Sequence, residues 1–213
     1  MKRTEDMDEQ PARRQTWSVD VAGFALDLPI VPITPDFAIS LMMVIDLGVR
    51  FGEHAGRELA RKIAPLEPEI IVGPATLGIP VAIETTRSLG LDQYVVLQKS
   101  PKLHLADALE QKLTSITSKG EQRLLLDREA IPLVAGRRVV VVDDVVASGG
   151  SLKAALDLVR RAGGNVVGAG VILTEAQDWR TMLGPDAGLL VSLAHIPQFA
   201  PGPDGAWEPI PGS

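Results

Sequence analysis

The spacing of hydrophobic and polar positions changes several times along the chain, and each change marks an element. Trp17 to Ile33 alternates loosely and is broken by Pro29 and Pro32, with Pro35 just beyond. Proline cannot donate to a strand ladder, so the pattern predicts short edge strands or an irregular cap, not a central strand. From Phe37 to Ile63 apolar residues recur at helical spacing behind Pro35-Asp36. This predicts one long helix or two consecutive ones ending before Pro65, with Gly48, Gly52 and Gly56 as weak points. Glu69 to Gly73 reads as a buried strand, followed by a glycine-containing turn and a helix from Ile79 to Leu89 closed by Gly90. Tyr94 to Leu97 is the next strand. Lys99 to Gly120 is polar, mixed and without clear period, the character of a long mobile lid.

A second unit follows. Arg123 to Leu126 reads as a strand, Gly136 punctuates, and Arg138 to Val142 is a β-branched run expected to be a central strand covered on both faces and ended by two aspartates. A helix from Leu152 to Ala162, closed by Gly163-Gly164, leads to a strand from Val166 to Leu173. Two strand-loop-helix units in succession predict an α/β fold, a mostly parallel central sheet with helices on both faces, whose ligands sit beyond the carboxyl ends of the strands. Pro197 to Ser213 is dense in proline and glycine and is expected to extend as a tail. The expected organisation is a flexible tail over 1–16, one domain over 17–199 with a small N-terminal hood at about 17–34, and a flexible tail over 200–213.

Composition narrows the function classes. The 213 residues suit one α/β domain, and 46% hydrophobic with 23% charged residues is ordinary for a globular chain. Lysine and arginine total 21 against 27 aspartates and glutamates, a formal charge of -6, which argues against direct nucleic-acid binding. The absence of cysteine removes disulfides, thiolate nucleophiles and cysteine-ligated zinc, and fits a cytoplasmic location. The longest apolar stretch, Phe37 to Ile45, is interrupted by Ser40 and falls short of the roughly 20 residues that a membrane span needs.

The sharpest chemical signal is Val139-Val140-Val141-Val142-Asp143-Asp144-Val145-Val146-Ala147-Ser148-Gly149-Gly150-Ser151. A buried strand aims the segment outward, and Ser148 to Ser151 then bring backbone N–H groups and two hydroxyls to a helix start, where a phosphate dianion is favoured. Glycine permits close approach of the backbone. Two adjacent carboxylates would repel a polyphosphate directly, so they are better read as acceptors for vicinal sugar hydroxyls. Together these features describe a ribose phosphate site. A Walker B strand is the competing reading. It lacks its partner, because Ile79-Pro80 follows Gly73 to Gly78 where a P-loop needs Lys and Ser or Thr.

The run resembles the phosphoribosyl pyrophosphate motif of the type I phosphoribosyltransferases, and the resemblance spans roughly Val19 to Phe199. Gly73-Pro74-Ala75-Thr76-Leu77-Gly78 stands where that family has its pyrophosphate loop, Gln98-Lys99-Ser100-Pro101-Lys102-Leu103 resembles its basic segment, and Thr114 to Gly120 falls in its mobile catalytic loop. Within the class the chain is most similar to the adenine branch, which xanthine enzymes and the purine operon repressor share. Val171-Ile172-Leu173-Thr174-Glu175 resembles the strand after the second unit. The resemblance implies that Asp143 and Asp144 hold the ribose hydroxyls and that Ala147, Ser148, Gly149, Gly150 and Ser151 bind the 5'-phosphate. It implies that Ala75, Thr76, Leu77 and Gly78 bind pyrophosphate through backbone amides, and that Lys99 and Lys102 screen the leaving group. Ile30, Val31 and Pro32 fall in the hood over the base. The implied reaction transfers phosphoribosyl from phosphoribosyl pyrophosphate to a purine, adenine first, in nucleotide salvage. Mg2+ would be bound mainly through the substrate, with no dedicated protein metal site, and a homodimer is the implied partner state.

Two departures bear on activity. Leu77 stands where relatives commonly carry Arg or Lys, and Gln98 where the adenine enzymes often have Arg. They motivate an alternative, a non-catalytic phosphoribosyl pyrophosphate sensor. A same-fold enzyme for xanthine, hypoxanthine, guanine or orotate is the other alternative. His54, His104 and His195 share no metal spacing, although His104 falls where a lid residue would touch substrate; Phe199 reads as a hydrophobic anchor more readily than as a stacking surface.

Overall fold

The computed structural model describes residues 14–100, 108–112 and 123–213. The amino-terminal tail expected over 1–16 lies outside the described residues up to 13. Its last positions are already structured, since Gln15 exchanges two hydrogen bonds with the backbone of Trp207 (2.7 and 2.9 Å).

The core is a five-stranded parallel sheet, built from β4 (Ile70–Pro74), β5 (Tyr94–Leu97), β8 (Arg138–Val146), β9 (Asn165–Glu175) and β10 (Leu190–Ile196) in the order β10-β9-β8-β4-β5. The Arg138 run occupies the middle, as the β-branched stretch predicts. Successive side chains of a strand point to opposite faces, and β8 obeys this. Val139 and Val141 pack with Leu152, Leu156 and Val159 of α4 (Gly150–Arg161), whereas Val140 and Val142 pack with Phe51 and Leu59 of α1 (Gly48–Ile63) and Val81 of α2 (Gly78–Ser88). Two apolar layers therefore cover the sheet, which is why Ile70 to Val72, Val139 to Val142 and Val171 to Leu173 are unbroken apolar runs. The strand does not end at the aspartates. β8 continues through Asp143 and Asp144 to Val146 because β9 goes on pairing with it, Val145 opposite Leu173 and Val146 opposite Thr174.

A second, antiparallel sheet forms the hood: β1 (Thr16–Val21), β2 (Phe24–Thr34), β3 (Phe37–Ser40), β11 (Gln198–Pro201) and β12 (Trp207–Pro209), in the order β1-β2-β3-β11-β12. Three expectations are corrected here. β2 is an eleven-residue interior strand despite Pro29 and Pro32; Pro29 pairs at the very end of β1, and the register shifts between Pro32 and Thr34. Pro35-Asp36 opens no helix. Phe37 to Ser40 pairs with β2 and β11, burying Ala38 and Ser40 in alternation, and α1 starts only at Gly48. The segment 200–213 is no extended tail, since Phe199 is fully buried against Ala38 and edge-on to Trp17 at 5.5 Å. Ala200 pairs with Glu208, and Ile210 N–H donates to the Gln198 carbonyl (2.8 Å). The hood thus draws on both ends of the described chain.

A two-stranded ribbon, β6 (Leu109–Lys112) with β7 (Arg123–Leu126), replaces part of the expected lid and is fastened to β5 by paired hydrogen bonds between Gln98 and Leu125. The short α3 (Ile131–Val134) and α5 (Asp178–Leu183) complete the described helices. No helix among the described residues is long and apolar enough to cross a membrane.

Candidate active site

Two loops meet at the carboxyl ends of neighbouring parallel strands. After β4 the chain turns through Ala75-Thr76-Leu77 into α2; after β8 it turns through Ala147-Ser148-Gly149 into α4. Neither helix has a side-chain hydrogen bond at its N-cap, so both start with backbone N–H groups directed beyond the sheet. Gly149 takes a positive φ of 81°, and a β-carbon on it would stand 3.0 Å from the Trp179 α-carbon of α5. Only glycine combines that conformation with that contact. Asp143, Ala147, Ser148, Gly149 and Ser151 line a cleft of about 200 Å³, with Val145, Val146 and Leu152 as its apolar wall.

The two aspartates are buried, 9% and 8% exposed. Burial pushes the Asp143 carboxyl well above the usual carboxylate range, and the Asp144 charge beside it adds to this. The Asp144 N–H, donated to Asp143 Oδ1 at 3.0 Å, and the Lys99 ammonium act in the opposite sense. Asp144 is raised too, again by burial, and is held back by backbone N–H groups and by Lys99. Two desolvated like charges side by side form a site that is electrostatically incomplete in isolation. Hydroxyl donors or a cation would complete it.

The sequence-derived residues are distributed as follows. Asp143, Asp144, Gly78 and the exposed Lys99 converge. Ala147, Ser148, Gly149 and Ser151 line the cleft, with Ser148 exposed and Ser151 half-buried, whereas the buried Gly150 faces a neighbouring groove with Lys153 and Met182. Thr76 is exposed, but the Ala75 amide is already donated to the Leu97 carbonyl at 2.8 Å. Ala75 therefore ties the loop to β5, which corrects the expectation that its amide binds pyrophosphate. The Leu77 side chain is half-buried against the apolar layer of α1 and α2. Val31 sits in β2 opposite Ile39 and is half-buried. Lys102, His104 and the segment Thr114 to Gly120 lie outside the described residues. His54 is a packed residue, with Nε2 2.9 Å from the Val21 carbonyl oxygen.

One buried carboxyl escaped the reading of the sequence. Glu175, 5% exposed at the end of β9, accepts a hydrogen bond from Gln198 Nε2 (3.0 Å) on β11. The pair is 23 residues apart in the chain, so no local pattern joins it.

A parallel sheet with this strand order, a hood of antiparallel strands and a glycine-bearing loop behind two aspartates match the type I phosphoribosyltransferase fold. The sequence matches the family model for the phosphoribosyl transferase domain over residues 52–190. It is 32% identical over 148 residues to the adenine phosphoribosyltransferase of Oenococcus oeni, covering 67% of this chain and 81% of that one. To the orotate phosphoribosyltransferase of Caldanaerobacter subterraneus subsp. tengcongensis it is 31% identical over 123 residues, 58% of this chain and 53% of that one. Its fold is similar to that of APRTase from Giardia lamblia complexed with 9-deazaadenine, with a TM-score of 0.65 at 24% identity over 79% of this chain and 93% of that one. The chain belongs to the phosphoribosyltransferase family, and so to the glycosyltransferases that move a pentose phosphate. Relatives named for a purine and for a pyrimidine leave the acceptor base to be argued from the site.

Proposed function

We propose that this chain transfers the phosphoribosyl group of phosphoribosyl pyrophosphate to a purine, adenine first, releasing pyrophosphate as a step of nucleotide salvage. The observation that carries the reading is the meeting of two loops at Asp143: it lines one cleft with Ala147, Ser148, Gly149 and Ser151, Asp144 is buried beside it, and Gly78 at the start of α2 is packed against its carboxylate. In this reading the aspartates accept the ribose 2'- and 3'-hydroxyls and the amides of the second loop hold the 5'-phosphate. Thr76 to Gly78 present the helix start to the pyrophosphate. Mg2+, bound with Asp143, Asp144 and the substrate's own oxygens, would screen charge on the departing pyrophosphate. Lys99 adds a second positive charge from the end of β5. The bond from the anomeric carbon to pyrophosphate breaks as a ring nitrogen of the base bonds to that carbon. Positioning and charge screening therefore supply most of the catalysis. A homodimer belongs to the same reading.

Leu77 favours a second reading. Its side chain is packed into the apolar layer, and the loop lacks the cation that would grip pyrophosphate. In that case the chain binds phosphoribosyl pyrophosphate as a sensor without turnover. Pyrophosphate release with Mg2+ and phosphoribosyl pyrophosphate, measured against adenine, hypoxanthine, guanine, xanthine, orotate and uracil, tests both. Release with adenine is expected. Binding without release on any base would overturn the enzymatic reading in favour of the sensor.

A further inference from the structure

We propose that Glu175, anchored by Gln198, selects the acceptor base in favour of one carrying an exocyclic amino group and against one carrying oxygen at that edge. This rests on the proposed function and deepens it. In the transfer, the entering nitrogen and the departing pyrophosphate occupy opposite sides of the anomeric carbon. The ribose lies over the end of β8 and the pyrophosphate loop follows β4, so the base enters from the other neighbour of β8, which is β9. Glu175 is the last residue of β9.

The hood supplies the remainder of this corner. Val31 of β2 and Gln198 of β11 both pair with Ile39 of β3, so the three form one row across the sheet. Directly paired residues of an antiparallel sheet share a face. The opposite face carries Ile30, Ala38 and Phe199, closed by Trp17 and Trp207. Gln198 reaches Glu175, and so the row Val31, Ile39, Gln198 is the hood face directed at the end of β9. Two aliphatic side chains thus share a hood face with a primary amide that reaches a carboxyl, a set suited to covering a flat ring and reading its edge. Burial holds the Glu175 carboxyl above the usual carboxylate range, and the hydrogen bond donated by Gln198 offsets part of that rise. A carboxylate accepts from an amino group and repels a carbonyl oxygen.

The test compares kcat/KM for adenine and hypoxanthine in the wild-type chain, Glu175→Gln and Glu175→Asp, with affinity for phosphoribosyl pyrophosphate measured by calorimetry in each. The expected result is a wild-type preference for adenine that falls roughly tenfold or more in Glu175→Gln, with phosphoribosyl pyrophosphate affinity unchanged. If both bases slow equally, Glu175 only joins hood to core and the proposal is overturned. Wild-type preference for hypoxanthine overturns it as well. Should Glu175→Gln fail to fold, the shortened Glu175→Asp carries the same comparison. Should the wild type bind phosphoribosyl pyrophosphate without turnover, the enzymatic reading fails separately. The equilibrium binding of adenine and hypoxanthine to the loaded chain then decides, loss of adenine preference in the variant supporting the proposal and no preference in the wild type overturning it.

Discussion

A β-carbon placed on Gly78 would stand 2.9 Å from Asp143 Oδ1 and 3.1 Å from Pro74 Cδ. The first residue of α2 is therefore pressed against the Asp143 carboxylate of the neighbouring strand, with no room for a side chain.

Gly78→Ala is expected to push the two loops apart. Overpacking of this kind costs about 1 to 3 kcal/mol. Affinity for phosphoribosyl pyrophosphate should fall roughly tenfold or more, by calorimetry, while the far-ultraviolet circular dichroism stays that of the wild type.

Asp143→Asn with Asp144→Asn should weaken phosphoribosyl pyrophosphate binding sharply yet stabilise the ligand-free protein at neutral pH. Both folded-state carboxyls are raised by burial, so at neutral pH ionisation of the pair opposes folding. Relief of about 1 kcal/mol would raise Tm by about 2 to 4 °C. The folded state holds these protons more tightly than the unfolded chain, so the wild-type penalty shrinks as pH falls toward the ordinary aspartate value of 3.8. The Tm difference between variant and wild type should close over the same interval in a thermal-melt series.

Gly149→Ala should combine a strained positive φ with a clash against α5. A stability loss of about 2 to 4 kcal/mol is expected, together with loss of phosphate affinity. Chemical denaturation with and without inorganic phosphate reads both effects.

Lys99→Ala removes an exposed charge that lowers both aspartate carboxyls. A roughly ten- to hundredfold fall in kcat/KM for phosphoribosyl pyrophosphate is expected, with Tm changed by about 2 °C or less. The acid limb of the rate profile should move to higher pH.

Leu77→Arg restores the missing cation. An affinity gain for pyrophosphate of about tenfold is expected, the lower end of a charge-assisted hydrogen bond because the position is half exposed. The gain should shrink at high salt in calorimetry. No gain at low salt would mean that the loop amides already saturate the anion.

The sequence by itself determined the parallel core and the residues that its loops bring to the cleft. Val139 to Val142 can only be a strand buried on both faces, and Asp143-Asp144 ahead of Ala147 to Ser151 carries acceptors and anion donors within a few residues. Such information is local, set by side-chain period and by backbone freedom at Gly149. Only the tertiary structure decided the hood. Phe37 to Ser40 has helical spacing but pairs as a strand because β2 and β11 offer it partners, one of them drawn from a segment that composition marks as a tail. The meeting of Gly78 with Asp143, and of Glu175 with Gln198, likewise joins positions that the chain keeps far apart. Non-local pairing and burial leave no periodic trace in the sequence, and in this protein they assemble the hood and the corner where it meets the end of β9.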